Sequence, residues 1–399
     1  MVSRYKVSLK NLKIWNGVDD TIDHGVDAVT FENGCLTFVG SSEDLGTDVP
    51  GSEVKDMGGL YMIPGLIDAH IHLCLDPHIK DPLQQERLAR EELLQAMADR
   101  ARAMLEAGIT SARDLGGGQW LELDIRESIR RGELSGPRLV CSGQPITSIK
   151  GHCHFWGGEA ADGSDALKVL ARQVEHKVDL IKVMATGGNI TRGSRPVDAQ
   201  FDEKTLTLIV NAAQNHGFRV AAHCHGTSGI RNAAAAGVTT IEHCSWVGDK
   251  GWGKDFDPEA VALIAEQGIW VSPTINSGWK RFVGNSDYSE LIRGNYARMR
   301  EGGAKLIAST DAGIPNVLHH DLPLAIPVFA YFAGLTATEA LRAATSDCAE
   351  AIGLGGVAGR IEKGYSADFV LYERDPTADL KVLATPVQVY KQGESRLTA

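Results

Sequence analysis

The amino-acid sequence predicts an α/β fold, a (β/α)8 TIM-like barrel carrying a small β-sandwich domain formed from both termini. Three observations support this expectation. Between residue 60 and about residue 313 one unit recurs, a helical stretch that ends at glycine and runs straight into a short β-branched strand. The two ends of the chain read instead as strand and turn. Imidazoles and acids fall where the strands stop, and a barrel of parallel strands gathers its reactive groups at those ends.

Taken in order, residues 1–59 form the first part of the small β domain, with strand and turn over 4–58 and no helical pattern. The first barrel strand is "GLIDAHIHL" (65–73). A helix over 83–107 follows, with Leu94, Met97, Ala101, Met104 and Leu105 at three- to four-residue spacing. "MLEAGITSARDLG" ends that helix at Gly108 and opens the second strand. "RLVCSGQPIT" (138–147) and "DLIKVMATG" (179–187) supply the third and fourth. The fifth to eighth lie in "AQNHGFRVAAHCHG", "AAAAGVTTIEHCS", "IAEQGIWVSPTIN" and "EGGAKLIASTDAG". In each, glycine takes the left-handed turn that closes a helix. Before the seventh strand, Asp257 is an N-cap, Pro258 fits the first helical position and Gly268 closes the helix. The barrel spans 60–357. A helix opened by the capping box Thr336 to Glu339 leads into "GRIEKGYSADFVLY", which starts the second part of the β domain, 358–399.

Composition narrows the partners. Lys+Arg 40 against Asp+Glu 51 gives a formal charge of −11, the wrong sign for nucleic acid or an anionic membrane surface. A small molecule is the expected partner. The opening "MVSRYKVSLKNLKIW" lacks the apolar core of a secretory signal, and no run has the length of a membrane span. Seven cysteines, an odd number without a CxxC pair, argue for neither a disulfide framework nor a thiolate zinc site. The chain is expected to be cytoplasmic with reduced thiols.

Reading off the strand ends gives His70 and His72 on the first, Lys182 on the fourth, His223 and His225 on the fifth, His243 on the sixth and Asp311 on the eighth. Side chains at i and i+2 of a strand share a face, so His70 and His72 aim at one spot. Each residue has a plainer reading. The histidines can be hydrogen-bonded groups of the core or mouth, and Asp311 can be the cap of the next helix. Together at corresponding strand ends they favour a metal site. Lys182 lies among apolar neighbours, where an ammonium is costly unless paired or neutralised. A lysine paired with an acid is one solution. The other is a neutral amine that has added carbon dioxide, since the resulting carbamate is an anion able to bridge two metal ions.

These motifs resemble the amidohydrolase superfamily, in its binuclear-metal branch of prolidase-like dipeptidases and imidazolonepropionase relatives. The resemblance rests on "PGLIDAHIHL" (64–73), "IKVMATGG" (181–188), "AAHCHG" (221–226), "IEHC" (241–244), "STDAG" (309–313) and "GRIEKGYSADFVLYERDP" (359–376). It implies that His70, His72 and Asp311 hold the more buried of two divalent ions, with zinc the default, and that His223 and His243 hold the other. A carboxylated Lys182 would bridge them together with a hydroxide. That hydroxide would attack a carbonyl carbon, and Asp311 would pass its proton to the leaving nitrogen. His225 would stand near the substrate, with a structural hydrogen bond as its plainer role. The loop "KGHCHFWGGEAADG" (150–163) offers His152 or His154 as a substrate donor, by likeness to a histidine-containing loop in prolidase-like members. Arg192 or Arg195, in the loop after the fourth strand, could clamp a substrate carboxylate or be solvated charge. His319 and His320, after the eighth strand, are near-mouth candidates, with His320 taken as a substrate contact.

The expected reaction is hydrolysis of an amide-type C–N bond, first of a dipeptide or N-acyl amino acid, with cyclic amide or imide, aryl amide, urea and carbamate as alternatives. A mononuclear deaminase is disfavoured because Lys182 is present and neither "AAHCHGTSG" nor "IEHCSW" has a glutamate after its ligand. A non-catalytic scaffold would be expected to lack ligands. Assembly into a homo-oligomer is expected by analogy alone.

Overall fold

Gly108, Gly217, Gly237, Gly268 and Gly303 all sit at φ between 66° and 90°. This is the left-handed conformation that ends a helix and lets a strand begin within three residues. The strands so started complete an eight-stranded parallel barrel: Leu66–Ile71, Ile109–Asp114, Arg138–Cys141, Leu180–Met184, Arg219–Gly226, Thr240–Val247, Trp270–Ser272 and Lys305–Leu306. The computed structural model describes residues 6–45, 53–85, 88–284 and 286–397.

Regular ladders join the first three barrel strands and the last five. Backbone hydrogen bonds close the two gaps. Between the third and fourth strands, Ile146 N donates to Lys182 O at 2.9 Å and Met184 N to Ile146 O at 2.8 Å. Between the eighth and first, Asp311 N donates to His70 O at 2.9 Å and His72 N to Ala312 O at 2.8 Å. Both closures run through residues at the strand ends, so closing the barrel also fixes Lys182, His70, His72 and Asp311 relative to one another.

The helix expected over 83–107 is in two pieces. Pro82–Gln85 makes a single turn, and the helix proper is Arg90–Glu106, burying Leu93, Met97, Ala101, Met104 and Leu105. Leu93 takes the inward place expected of Leu94, which is half-buried. The later helix signals match their positions. Asp257 accepts from Glu259 N and Ala260 N with Pro258 in the first turn, and the Thr336–Glu339 capping box closes reciprocally.

The small domain is one seven-stranded sheet folded on itself. In order across it run Glu394–Leu397, Gln388–Lys391, Phe369–Tyr372, Glu53–Pro64, Val7–Ile14, Ala28–Glu32 and Cys35–Gly40. Asn33 and Gly34, at φ 51° and 81°, form the tight turn between the last two. Phe31 and Phe369 stand three strands apart, roughly 14 Å in a flat sheet, yet their ring centroids are 5.9 Å apart. Tyr390 stacks on Phe369 at 4.5 Å, so the sheet doubles over into a sandwich around these rings. The strand Glu53–Pro64 runs through position 59, where the sequence places the domain change, and passes directly into the first barrel strand.

Inside the barrel, Arg113 of the second strand is almost fully buried. It donates to Ala69 O at 2.7 Å, Thr240 Oγ1 at 2.9 Å and Glu242 Oε1 at 2.7 Å, tying the first, second and sixth strands together across the interior. Arg113→Met would leave Glu242 buried without its cation. It is expected to destabilise the protein by about 3–5 kcal/mol, measured as a lower denaturant midpoint. Arg113→Met combined with Glu242→Gln is expected to regain part of that loss.

Candidate metal centre

At the mouth, His70 Nε2 lies 3.3 Å from His72 Nε2, and Asp311 Oδ1 lies 3.3 Å from the first and 3.5 Å from the second. Two strand residues of equal facing and the end of the neighbouring strand thus converge on one point. His223, His225 and His243 form a second group, with ring centroids 4.4 to 4.6 Å apart. His243 belongs to both: its ring is 5.1 Å from His70. The candidate ligand atoms of His223, His225 and His243, and those of His70, His243 and Asp311, lie within 4.8 Å of one another in each set.

Each of these five imidazoles spends one nitrogen on the protein. His70 Nδ1 meets Glu242 Oε2 at 3.0 Å, His72 Nδ1 meets Gly116 O at 2.9 Å and His223 Nε2 meets Gly187 O at 3.0 Å. His225 Nδ1 and His243 Nδ1 meet Ser245 Oγ at 2.9 Å and Thr274 Oγ1 at 2.8 Å. An acceptor oxygen needs an N–H opposite it, so in His70, His72 and His223 the other nitrogen carries a lone pair, as a metal ligand must. Burial disfavours the charged form of His70, His223, His225 and His243. It pushes His70 down to about 4, with Lys182 adding to the effect, and His225 likewise to about 4. His223 and His243 are held well below the usual imidazole range, again by burial first and by neighbouring rings second. Burial alone would keep Asp311 protonated, but His70 and His72 outweigh it and hold the carboxyl below its ordinary range.

Lys182 is 1% exposed, and its Nζ has no hydrogen-bond partner among the described residues. Burial lowers its amine to about 8; Glu242 and Asp311 pull it upward, and Arg113 opposes them. The reading of Lys182 as half of an acid pair therefore finds no contact in the structure. An orphaned amine beside five buried imidazoles and a carboxylate suits a carbamate and two cations, so the residues present fit the expected metal group.

Several supporting residues carried no sequence signal. Glu242 and His243 are adjacent and would face opposite ways in a regular strand, but both reach His70. The alternation is broken at φ 68° for His243 and 50° for Cys244. Glu242, though beside the candidate ligand His243, is held by Arg113, Thr240 and His70. Asp68 accepts from His70 N at 3.2 Å, Thr310 N at 3.1 Å and Thr310 Oγ1 at 2.6 Å, pinning the candidate ligand His70 and the residue before the candidate ligand Asp311; burial pushes its carboxyl up to about 7. Asp114 accepts from Leu73 N and Gly116 N, each at 2.9 Å, and so sets the carbonyl that orients His72.

Of the expected substrate donors, the structure brings only His152 to the cavity. Its ring lies 4.5 Å from His223 and its Nδ1 is buried without a partner. Gly188 makes room for it: a Cβ there would stand 2.4 Å from the imidazole. His154 is turned away on the short 3-10 turn His154–Trp156 and does not line the cavity. Arg192 and Arg195 are exposed on a loop that folds back on itself, Gly187 N donating to Asp198 O, and Arg195 approaches Asp198 at 3.5 Å. His320 is exposed, while its neighbour His319 is buried and bonds His72 O at 3.0 Å. The loops after the sixth and seventh strands supply the cavity wall instead. The cavity holds about 670 Å³ and is walled by Trp252, Trp279, Phe282, Tyr288 and Tyr296, with Arg281 among them.

A family model described as "Amidohydrolase family" matches residues 61–395. Ochratoxinase from Aspergillus niger is 26% identical, over 92% of this chain and 82% of its own length. Its crystal structure superposes with a TM-score of 0.84 at 23% identity, covering 99% of this chain and 96% of the other. Imidazolonepropionase from Mesorhizobium japonicum is 23% identical over 93% of this chain and 90% of its own. The crystal structure of a Xaa-Pro dipeptidase with bound methionine gives a TM-score of 0.83 at 23% identity, covering 98% and 100%; likeness at this level carries the fold. The motifs, the barrel and the family match agree, and the chain belongs to the amidohydrolase family.

Proposed function

We propose that this protein hydrolyses an amide-type C–N bond of a small molecule using two divalent cations, zinc by default. His70, His72 and Asp311 would hold one, His223 and His243 the other, and Lys182, carboxylated by carbon dioxide, would bridge them. The observation that carries the reading is the orphaned, buried Nζ of Lys182 among imidazoles that are buried and already oriented. Two such ions, when bound, supply a water of lowered pKa and a Lewis acid.

The chain's own residues do the rest. Asp311, whose carboxyl lies below its ordinary range, takes the proton released by the attacking water at a carboxylate oxygen and delivers it to the leaving nitrogen. His225, oriented by Ser245, presents its Nε2 toward His223 and His243, where it donates to the substrate's carbonyl oxygen or joins those two as a ligand. His152 faces the same space. Glu242 keeps the tautomer of His70 and takes no proton from substrate, because its oxygens are occupied. The aromatic wall excludes bulk water from the reacting bond. Among the described residues no single helix is long and apolar enough to cross a membrane. A small-molecule partner, a reducing cytoplasmic location and a homo-oligomeric assembly complete the proposal.

Two outcomes test it. Lys182→Ala is expected to lose bound zinc, measured by elemental analysis, and to lower amide hydrolysis by more than about a hundredfold; full metal content and activity in this variant would sink the bridging role. Glu242→Gln keeps the shape but weakens the orientation of His70. It is expected to cost about 10- to 100-fold in metal affinity, read by competition with a zinc chelator.

A further inference from the structure

We infer that Thr274 is a positioning residue for the second cation alone: its hydroxyl leaves the proton of His243 free to sit on either ring nitrogen until a cation takes Nε2, and Ser309 holds that hydroxyl in place. The inference rests on the two-cation reading of the site and concerns how its two halves differ.

The difference lies in what each ring nitrogen meets. On the side of the first cation, His70 Nδ1 meets the Glu242 carboxylate and His72 Nδ1 meets Gly116 O. Both partners only accept, so a neutral ring carries its proton there. On the side of the second cation, His223 is fixed in the same way by Gly187 O, but His243 Nδ1 meets a hydroxyl, Thr274 Oγ1 at 2.8 Å. A hydroxyl accepts or donates as it rotates. Accepting from Nδ1–H, it leaves a lone pair on Nε2. Donating to Nδ1, it leaves the proton on Nε2, and the ring then offers no ligand atom to a cation. Among the described residues that hydroxyl has no second hydrogen bond to restrain it, and Thr274 lines the cavity, where its proton can turn to water. Ser245 leaves His225, packed beside the same two rings, with the same freedom.

Thr274 is itself held under strain. It stands at φ 53°, a left-handed conformation that β-branched residues rarely adopt. Such a backbone persists only where its surroundings fix it. The fixing group is Ser309, whose Oγ accepts from Thr274 N at 3.0 Å and from Ser272 Oγ at 2.8 Å. All three residues are buried. Ser272 ends the seventh strand and Ser309 follows the eighth, so a short polar chain bridges two strand ends and stops at His243. Loss of Ser309 frees the turn to relax and to carry Oγ1 away from the ring. Ser309 also lies two residues before Asp311, so both cations must be read to show which one it serves.

The tests use the full chain. His243→Asn marks which of two zinc-binding steps, read by competition with a chelator, belongs to the second cation. Thr274→Val keeps the shape and branching but removes the hydroxyl. It is expected to weaken that step about 10- to 100-fold and to leave the other unchanged, with Thr274→Ser restoring it. Ser309→Ala is expected to weaken the same step and to add nothing to Thr274→Val in the double variant, because both act along one path. Equal weakening of the first step, or additive losses in the double variant, would overturn the inference. A second measurement needs no metal: the nitrogen NMR spectrum of the histidine rings in the metal-free protein. His243 is expected to show both tautomers in exchange where His70, His72 and His223 show one each, and Thr274→Val is expected to shift the His243 signals. A single His243 tautomer in the native chain sinks the proposal. If the protein binds no zinc but the spectrum is as expected, the freedom of the His243 proton stands and the two-cation reading falls. If it binds two ions and Thr274→Val changes neither step, the inference fails alone.

Discussion

The interior of the barrel depends on one buried carboxylate. Glu242 is fully enclosed, takes a hydrogen bond from Arg113 on one oxygen and meets His70 with the other. Burial opposes its ionisation, yet Arg113 first and His70 next hold its pKa far below the ordinary carboxylate range. A buried ion pair is poor evidence for net stability because desolvation consumes most of the attraction. What this one provides is position. Arg113 reaches the first, second and sixth strands at once, and the carboxylate it fixes decides which nitrogen of His70 points into the mouth. Stability of the barrel and readiness of the site therefore share the same atoms.

Around that anchor the site is built by repetition of one device, a protein acceptor or hydroxyl on one ring nitrogen and open space on the other. Gly116 O and Gly187 O do this for His72 and His223, Ser245 and Thr274 for His225 and His243. Because these bonds hold the rings in place, their orientation is settled before any ligand arrives, which lowers the cost of binding one. Lys182 gives the arrangement its chemical meaning, since its Nζ, like Nδ1 of His152 beside it, is buried with nothing among the described residues to meet it.

Much of this was legible in the sequence, and the reasons are local. The i, i+2 spacing of His70/His72 and His223/His225 survives folding because strands alternate, and the glycine stops survive because only a left-handed residue ends those helices without strain. Glu242 was hidden because simple alternation turns it away from His243, and only the backbone at His243 and Cys244 undoes that. Arg192, Arg195, His154 and His320 misled because nearness to a strand end in sequence says nothing of which way a loop curls. The run "NSGWKRF" after the seventh strand held a usable signal, a cation set among aromatics, but its 3-10 turn over Ser277–Phe282 has no periodicity by which to place those side chains.

The doubled-over sheet has a consequence for how the molecule is made. Its central strand, Glu53–Pro64, pairs on one edge with Val7–Ile14 and on the other with Phe369–Tyr372. The latter lies about 300 residues further along the chain, so at a synthesis rate of about 5–20 residues per second the second edge stays bare for roughly 15–60 s on the ribosome. Phe31 waits as long for Phe369 and Tyr390. The nascent barrel thus emerges beside an open, sticky β edge that stays exposed until Phe369–Tyr372 is made to seal it.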